Sequence, residues 1–179
     1  MTAILAFHTQ GPGLGTYDDP VMKGFIDRIP TVFESAYKTD GHLARVAGPD
    51  GDQFLEGPLA DDLENLPDGW GFSPTAIAPF YKDYPSVPTT LSFWKSLESV
   101  AAFSYRGLHG EALKMRNEWF APTEYPGLVT WWVSEGETLP TWEEASRRLV
   151  MLHENGPTPE AFDFKSSFDV SGAPVNLDR

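Results

Sequence analysis

The order of strands and helices predicted along the 179 residues indicates an α+β fold of the ferredoxin-like, split βαβ type with an antiparallel sheet. Three observations predict this class. Short apolar or β-branched runs alternate with longer segments whose apolar residues recur at three and four residue steps. The resulting order is β, α, β, β, α, β, followed by an extra helix. The composition, 41% hydrophobic and 13% aromatic, is that of a folded protein with a sizeable core.

A buried strand and an amphipathic helix open the chain. The apolar run at 3–9 is followed by glycine and proline, which suits a strand leading into a loop. From 19 to 36 the apolar residues follow the helical period, and Pro30 inside that helix is expected to kink it. Residues 42–54 are predicted to form a strand pair or a bulged strand, with a turn at 48–51.

The next three elements repeat the pattern of strand, helix and strand. Residues 89–94 are β-branched and aromatic and predict a strand, 97–120 predict the longest helix, and 128–133 predict another strand. A further helix begins after Thr141, whose hydroxyl can cap a free backbone N–H. It ends at Asn155-Gly156-Pro157, where glycine permits a left-handed cap and proline cannot continue the helix.

Three segments interrupt or follow the regular elements of the predicted single domain, which spans 1–164. Residues 57–88 form a long insertion rich in proline and aromatic side chains, expected to be either a lid over a pocket or a wrap that patches the core. Residues 161–164 suggest a short strand. Residues 165–179 are polar and without periodicity, so we expect a tail held only by chance contacts such as Phe168.

The composition excludes several classes of function. With 13 basic and 26 acidic residues the formal net charge is −13, which opposes binding to nucleic acid or anionic lipid. The absence of cysteine excludes disulfides and thiolate chemistry, and the spacing of the four histidines matches no metal-binding motif. No apolar run approaches the roughly 20 residues of a membrane span, and the first ten residues lack a basic signal region. We expect a soluble, cytoplasmic protein without a bound metal.

Three polar side chains of the predicted helix 97–120 define the candidate catalytic site. On a helical wheel of about 100° per residue, Tyr105, His109 and Arg116 fall within about 40° of one another near the centre of the apolar stripe. His109 would transfer a proton, because the ordinary pKa of histidine lies near neutrality. Tyr105 would donate to a carbonyl or enolate oxygen, and Arg116 would neutralise a carboxylate or developing oxyanion.

The same trio has a structural interpretation. His109 can be a core histidine bonded to a backbone carbonyl, Tyr105 a half-buried ring and Arg116 one half of an internal ion pair. Trp131 and Trp132 are adjacent in a strand and must point to opposite sheet faces, one to the core or cavity and the other to a partner surface. The residues predicted to line the substrate pocket are Trp94, Trp119, Phe93, Trp132, His8, Phe80 and Tyr84.

A string of motifs runs through residues 89–165. Its members are Leu91-Ser92-Phe93-Trp94-Lys95-Ser96, Tyr105-Arg106-x-x-His109, Arg116-x-x-Trp119-Phe120, Trp131-Trp132-Val133, Pro140-Thr141-x-x-Glu144-Ala145, Arg148-Leu149 and Asn155-Gly156-Pro157-Thr158-Pro159-Glu160-Ala161-Phe162. The string resembles the domain-of-unknown-function 3291 family. The resemblance implies the dimeric α/β-barrel superfamily, which includes cofactor-free monooxygenases, cyclases, decarboxylases and isomerases of small aromatic molecules, and also haem proteins. It implies no particular reaction.

These observations together predict a small-molecule tailoring enzyme of secondary metabolism. It would cyclise, isomerise or oxygenate an aromatic or polycyclic substrate, without a cofactor, in a pocket between the sheet and helix 97–120. The sheet would pair with that of a second copy to close a barrel, burying surface that a lone monomer exposes. Two alternatives stay open: a haem protein with His109 as axial ligand, and a non-catalytic module that binds a small molecule.

Overall fold

A five-stranded antiparallel sheet organises the chain, and the computed structural model describes residues 3–47, 53–62, 74–134 and 136–177. The predicted turn at 48–51 lies outside the described residues. The strands are β1 Ile4–Gln10, β2 His42–Ala47, β3 Phe54–Glu56, β4 Thr89–Trp94, β5 Leu128–Val133, β6 Ser167–Phe168 and β7 Pro174–Val175. The α-helices of the described residues are α1 Lys23–Ile26, α2 Ile29–Tyr37, α3 Leu97–Tyr105, α4 Gly107–Lys114 and α5 Trp142–Asn155. None of them is long and apolar enough to cross a membrane.

The sheet has the strand order β3-β2-β4-β1-β5, antiparallel throughout. Without the edge strand β3, the order places β4 between β1 and β2, as a split βαβ plan requires. The predicted α+β class and antiparallel sheet are therefore confirmed, and the architecture is consistent with a ferredoxin-like fold.

The two faces of the sheet bury different sets of side chains. Because successive residues of a strand point to opposite faces, Phe7 and Trp94 lie on one face and Ala6 and Phe93 on the other. The face with Phe7 and Trp94, which we call the cleft face, packs against α2 and α3. The face with Ala6 and Phe93, which we call the core face, packs against α5.

The described parts of the insertion 57–88 also cover the core face. Leu59, Ala76 and Tyr81 are buried in the same cluster as α5. The side chain of Gln10, itself buried, donates to the carbonyl of Ala76 at 2.9 Å and accepts from the N–H of Ala78 at 3.0 Å. These parts therefore form a wrap that patches the core, and Ile77, Tyr81 and Val87 of the same segment also line the cavity. Residues 63–73 lie outside the described residues.

The core face, through which two copies were expected to form a barrel, is covered within one chain. The central core-face side chains, Ala6, Leu91 and Trp131 among them, are at most 1% exposed within one chain. The premise that a lone monomer leaves this face uncovered is therefore wrong, since α5 and the wrap bury it. Association of two copies stays a prediction, without that premise to support it.

The predicted helix 97–120 is two helices that meet at a corner, so the prediction of one continuous helix is wrong. Ser96 caps α3 by accepting from the N–H of Ser99 at 3.2 Å, and the helix ends at Tyr105. Arg106 then adopts an extended backbone, and Gly107 takes a left-handed φ of 53°. The chain resumes as α4 and finishes in a 3-10 turn at Arg116–Glu118.

The corner depends on Gly110 as well as on Gly107. A Cβ atom at Gly110 would lie 2.5 Å from the carbonyl oxygen of Tyr105, inside the contact limit. We expect Gly110→Ala to lower the free energy of unfolding by about 1–3 kcal/mol through overpacking. Gly107→Ala is the matched variant, because its Cβ would meet open space and only the left-handed φ costs about 1 kcal/mol. Urea unfolding of both variants checks this, and Gly110→Ala equal to wild type would contradict it.

The remaining predicted elements are partly corrected. The predicted helix 19–36 is interrupted, because α1 ends at Ile26 and α2 begins at Ile29. Pro30 lies in the first turn of α2 rather than at a kink, and there its missing N–H leaves no bond unmade. Phe162 exchanges backbone hydrogen bonds with Thr130 at 2.7 and 3.0 Å, so 161–164 adds a single bridge rather than a strand. The predicted caps of α5, Thr141 and Gly156, are confirmed.

The C-terminal residues are not a loose tail. Strands β6 and β7 form a hairpin, and Phe168, Val175 and Leu177 pack against the cluster on the cleft face. The indole N–H of Trp132 donates to the carbonyl of Phe168 at 2.8 Å. The polar composition of residues 165–179 did not predict this packing, because only three apolar side chains of the segment make the contact.

Candidate functional site

A cavity of about 1550 Å³ is lined by residues from both sides of the sheet, and the part that we call the cleft lies against the cleft face. Phe7, Thr90 and Ser92 of β1 and β4 line its floor, and residues of α2 and α4 line its sides. Helices and strands position these side chains, so the cavity is a feature of the folded scaffold rather than of one loop. A cavity of this size accommodates a small organic molecule.

Four aromatic side chains form a continuous row along the cleft, which we call the aromatic row. The rings of Trp94 and Phe103 stack at 5.2 Å between centroids with an interplanar angle of 28°. Phe103 contacts His109 at 4.7 Å, and His42 meets Trp94 edge-on at 4.9 Å. All four residues line the cleft. Trp94 and His42 are buried, so a ligand in the cleft meets the row at its partly exposed members, Phe103 and His109.

His109 is held by the end of α3. Its Nδ1 lies 2.8 Å from the carbonyl oxygen of Ser104, and a carbonyl only accepts, so Nδ1 carries the hydrogen. In the neutral ring Nε2 then holds a lone pair, and it has no hydrogen-bond partner among the described residues. Burial lowers the pKa of His109, while the hydrogen bond to Ser104 opposes that shift. The ring is therefore neutral at pH 7 and can accept a proton.

Two further side chains present unpartnered polar atoms to the cleft. Ser104 is 4% exposed, and no described residue bonds its Oγ. His42 is equally enclosed, and both of its ring nitrogens lack a partner among the described residues. Burial lowers the pKa of His42 to about 4, with the charge of Arg45 acting in the same direction and that of Glu56 against it. Buried polar atoms without partners cost about 1–3 kcal/mol each, so a ligand that bonds them recovers that cost.

The predicted catalytic trio lines the cleft, although not from one helical stripe. Tyr105 ends α3 with 39% of its surface exposed, and its ring contacts Phe164 at 5.7 Å. His109 lies on α4, beyond the corner, and Arg116 is exposed in the following 3-10 turn. The expectation that all three point inward from one helix face is wrong, because the corner at Arg106 turns the chain. All three nevertheless reach the same cavity.

Among the predicted wall residues, Trp94 lines the cleft and the others do not. Phe93 and His8 point to the core face by strand alternation, where Phe80 and Tyr84 also pack. Trp119 is buried beneath the guanidinium of Arg28. The wall residues placed away from the cleft are Trp119, Phe93, Trp132, His8, Phe80 and Tyr84.

The paired tryptophans are both occupied elsewhere. Trp131 is buried on the core face with the guanidinium of Arg148 at 5.0 Å from its ring. Trp132 is on the cleft face, under the C-terminal hairpin that its indole bonds. Neither tryptophan faces the cleft or an open partner surface of the described chain.

Sequence reasoning missed His42, Arg45, Phe103, Ser104 and Arg28 as cleft residues. His42 and Arg45 have opposite parity along β2, so simple alternation puts them on different faces. A bulge between His42 and Ala44 shifts the register and brings both to the cleft face. The strand prediction for 42–54 allowed a bulge without locating it, and Gly107 and Gly110 mark the helix corner only once the fold is known.

The described residues contain no group of three histidine, aspartate or glutamate side chains placed to hold a metal ion. Axial ligation of a haem iron, by contrast, requires only one histidine. His109 has the arrangement that such ligands use, with one ring nitrogen anchored on a carbonyl and the other unbonded.

Comparison with known proteins places the chain by family. The family model described as Domain of unknown function (DUF3291) matches residues 5–177. No curated protein and no solved structure matches the chain. The matched residues run from β1 through the C-terminal hairpin, so they include the cleft, the aromatic row and the cover of the core face. The protein therefore belongs to the DUF3291 family.

Proposed function

We propose that the protein binds a flat aromatic or polycyclic small molecule in the cleft and catalyses proton transfer on it, as a tailoring enzyme that needs no cofactor. The observation that carries this proposal is the position of His109. Its ring ends the stack of Trp94 and Phe103, and its Nε2 is left unbonded while Nδ1 is anchored on Ser104. A ligand stacked on the row lies beside a fixed, neutral base.

The chemistry follows from this arrangement. Nε2 of His109 removes a proton from a carbon next to a substrate carbonyl, and the electrons of the broken C–H bond move to the carbonyl oxygen as an enolate. The carbonyl of Ser104 stabilises the imidazolium that forms, because it accepts from Nδ1. Tyr105 or the Oγ of Ser104 donates to the enolate oxygen. Return of the proton at another atom is an isomerisation. Attack by the enolate carbon on a second carbonyl of the same substrate, whose π electrons move to its oxygen and take up the proton from His109, is a cyclisation.

Deuterium exchange into 1-tetralone, a bicyclic aromatic ketone, tests the proposal without knowledge of the natural substrate. In D₂O the protein is expected to accelerate exchange at the carbon next to the carbonyl about 10²-fold, the lower range for a positioned acid–base group. His109→Ala is expected to abolish the acceleration. Leu108→Ala is the matched control, because Leu108 is exposed beside His109 and does not line the cleft. Mass spectrometry of the ketone gives the rates.

Each result decides between the candidate functions. Acceleration that survives His109→Ala in a folded variant would overturn the role of His109. Binding of 1-tetralone, seen as a change in tryptophan fluorescence, with no acceleration would establish a non-catalytic binding module in place of the enzyme.

Haem binding is the second candidate function, and the anchored Nδ1 of His109 is the observation that favours it. Haem would supply redox or oxygen chemistry at an iron held by Nε2 of His109, with cationic side chains of the cleft available to its propionates. Titration with haem, followed by the Soret band, separates the two candidates. The enzyme proposal expects no stoichiometric shift, whereas a shift that is lost in His109→Ala would replace it with the haem function.

A further inference from the structure

The geometry points to a ligand that carries an oxyanion: we propose that the aromatic molecule bound in the cleft is an acid whose carboxylate or phosphate is held by Arg28 and Arg116. The inference rests on the proposed function, since it names the substrate class of the same cleft. It adds one binding residue, Arg28, and one chemical requirement, a negative charge on the ligand.

The charge of the cleft opposes that of the whole chain. The protein has twice as many acidic as basic residues, 26 against 13. Among the described residues that line the cleft, basic side chains outnumber acidic ones. A local excess of positive charge on an acidic protein concentrates anions at that site. The charged lining residues are Arg28, Arg45, Arg116, Lys165, Glu124 and Asp163.

Arg28 is a half-buried cation with no acidic partner among the described residues. Its Nη1 donates to the carbonyl of Gly24 at 2.7 Å, and its guanidinium lies 5.2 Å from the ring centroid of Trp119. These contacts hold the side chain in place and leave its charge uncompensated. A half-buried cation held in a fixed position without a counter-ion favours an anionic ligand.

Arg116 adds a second uncompensated cation close by. Nη2 of Arg28 contacts Sδ of Met115 at 3.6 Å, which brings it to the residue that precedes Arg116. Arg116 makes no ion pair or hydrogen bond with its side chain in the described part of the chain. Arg45, by contrast, is paired with Glu56 at 2.9 Å and is not available to a ligand.

The position of these cations relative to His109 suits an aromatic acid. Arg116 follows His109 by seven residues along α4 and its 3-10 extension, a separation of about 10 Å along the axis. A bicyclic aromatic acid can therefore place its oxyanion at the arginines while its far ring reaches the aromatic row. Guanidinium groups bind carboxylates and phosphates through paired, charge-assisted hydrogen bonds.

Three naphthalene probes test the inference by calorimetry: 2-naphthoate, 2-naphthyl phosphate and uncharged 2-naphthol. At low salt at least one of the two acids is expected to bind about tenfold more tightly than 2-naphthol, and the advantage is expected to shrink in 0.5 M salt. Arg116→Gln should remove most of the advantage and leave 2-naphthol binding unchanged. Arg106→Gln is the matched control, because Arg106 is exposed nearby and does not line the cleft.

Arg28 is tested by a pair of variants because it also contacts the backbone. Arg28→Lys keeps the charge and should keep the preference for acids, whereas Arg28→Gln should lose it. A preference for 2-naphthoate identifies a carboxylate ligand, and a preference for 2-naphthyl phosphate identifies a phosphate. Equal binding of all three probes, unchanged by Arg116→Gln, would overturn the inference and leave the proposed function standing. Binding of none of them would overturn both.

Discussion

Acidification from pH 7.5 to pH 4.5 is expected to lower the free energy of unfolding by about 2.5 kcal/mol through His8 alone. Burial lowers the pKa of His8 from 6.5 to about 4 in the folded protein, against the opposing effect of its hydrogen bond to Thr90. Below pH 6.5 His8 therefore binds a proton in the unfolded chain but not in the folded chain. The stability is present in full above pH 6.5 and is lost as the pH falls towards 4.

The surroundings of His8 give the physical reason. The side chain is completely buried on the core face, and its Nδ1 donates to the carbonyl of Thr90 at 2.9 Å. Its Nε2 has no partner among the described residues and the ring faces Trp142 at 6.0 Å. A proton on Nε2 would thus create a buried charge with no acceptor. His42, whose pKa is also lowered to about 4, acts in the same direction over the same pH range.

Urea unfolding at pH 7.5, 6.5, 5.5 and 4.5 measures this loss. The carboxylates whose pKa is lowered, Glu34, Glu144 and Asp169, lose their contribution chiefly below pH 4.5, so the interval above it reports on histidines. His8→Asn retains a donor for Thr90 and is expected to flatten the pH dependence. His153→Asn, an exposed position, is the control.

If His8→Asn does not fold, the protonation state of His8 can be measured directly in the wild-type protein. Nitrogen NMR of the wild-type imidazoles at pH 5 is expected to show His8 neutral, with the hydrogen on Nδ1. A protonated His8 ring at pH 5, or a folded His8→Asn variant with the wild-type pH dependence, would contradict the prediction.

Trp94→Ala is expected to lower the free energy of unfolding by about 3–5 kcal/mol, the usual cost of removing a buried large aromatic side chain. Trp94 is 1% exposed, packs between His42 and Phe103, and donates through its indole N–H to Oγ of Ser92 at 2.9 Å. Its loss leaves a cavity at the centre of the aromatic row. Phe103 and His42 then lose the ring that supports them, so ligand binding should fall as well.

Chemical denaturation measures the stability, and 1-tetralone binding measures the state of the row. Trp94→Phe is the matched variant, because it keeps a ring for stacking and loses only the indole hydrogen bond and part of the volume. It should lose less than half as much stability and retain binding. A cost below about 1 kcal/mol for Trp94→Ala would show that the row does not depend on Trp94.

The elements that local patterns encode were predictable. Strands β1, β4 and β5 are short apolar runs, and α5 carries its hydroxyl cap at Thr141 and its glycine stop at Gly156. In the site, His109 and Trp94 were predictable as candidate residues from their chemistry, and both line the cleft. Their position in one cleft was not predictable, because it depends on which sheet face each strand residue meets.

The errors have a common cause in non-local packing. The apolar spacing of 97–120 fits one helix. The corner is possible because Gly110 has no side chain where it packs against the carbonyl of Tyr105. The polar segment after 165 docks because Trp132 and the cleft-face cluster meet it across the fold. Such contacts join residues far apart in the chain, and periodicity within a window cannot register them.

The sequence by itself determined the α+β class, the order of the main strands and helices, the family, and the residue types available for chemistry. Those properties follow from local preferences and from side-chain chemistry, which each short segment carries with it. Only the tertiary structure decided that α5 covers the core face, that a bulge turns His42 into the cleft, and that Arg28, Arg116 and His109 line one cavity. These outcomes depend on the free energy of packing distant segments together, and no single segment contains that information.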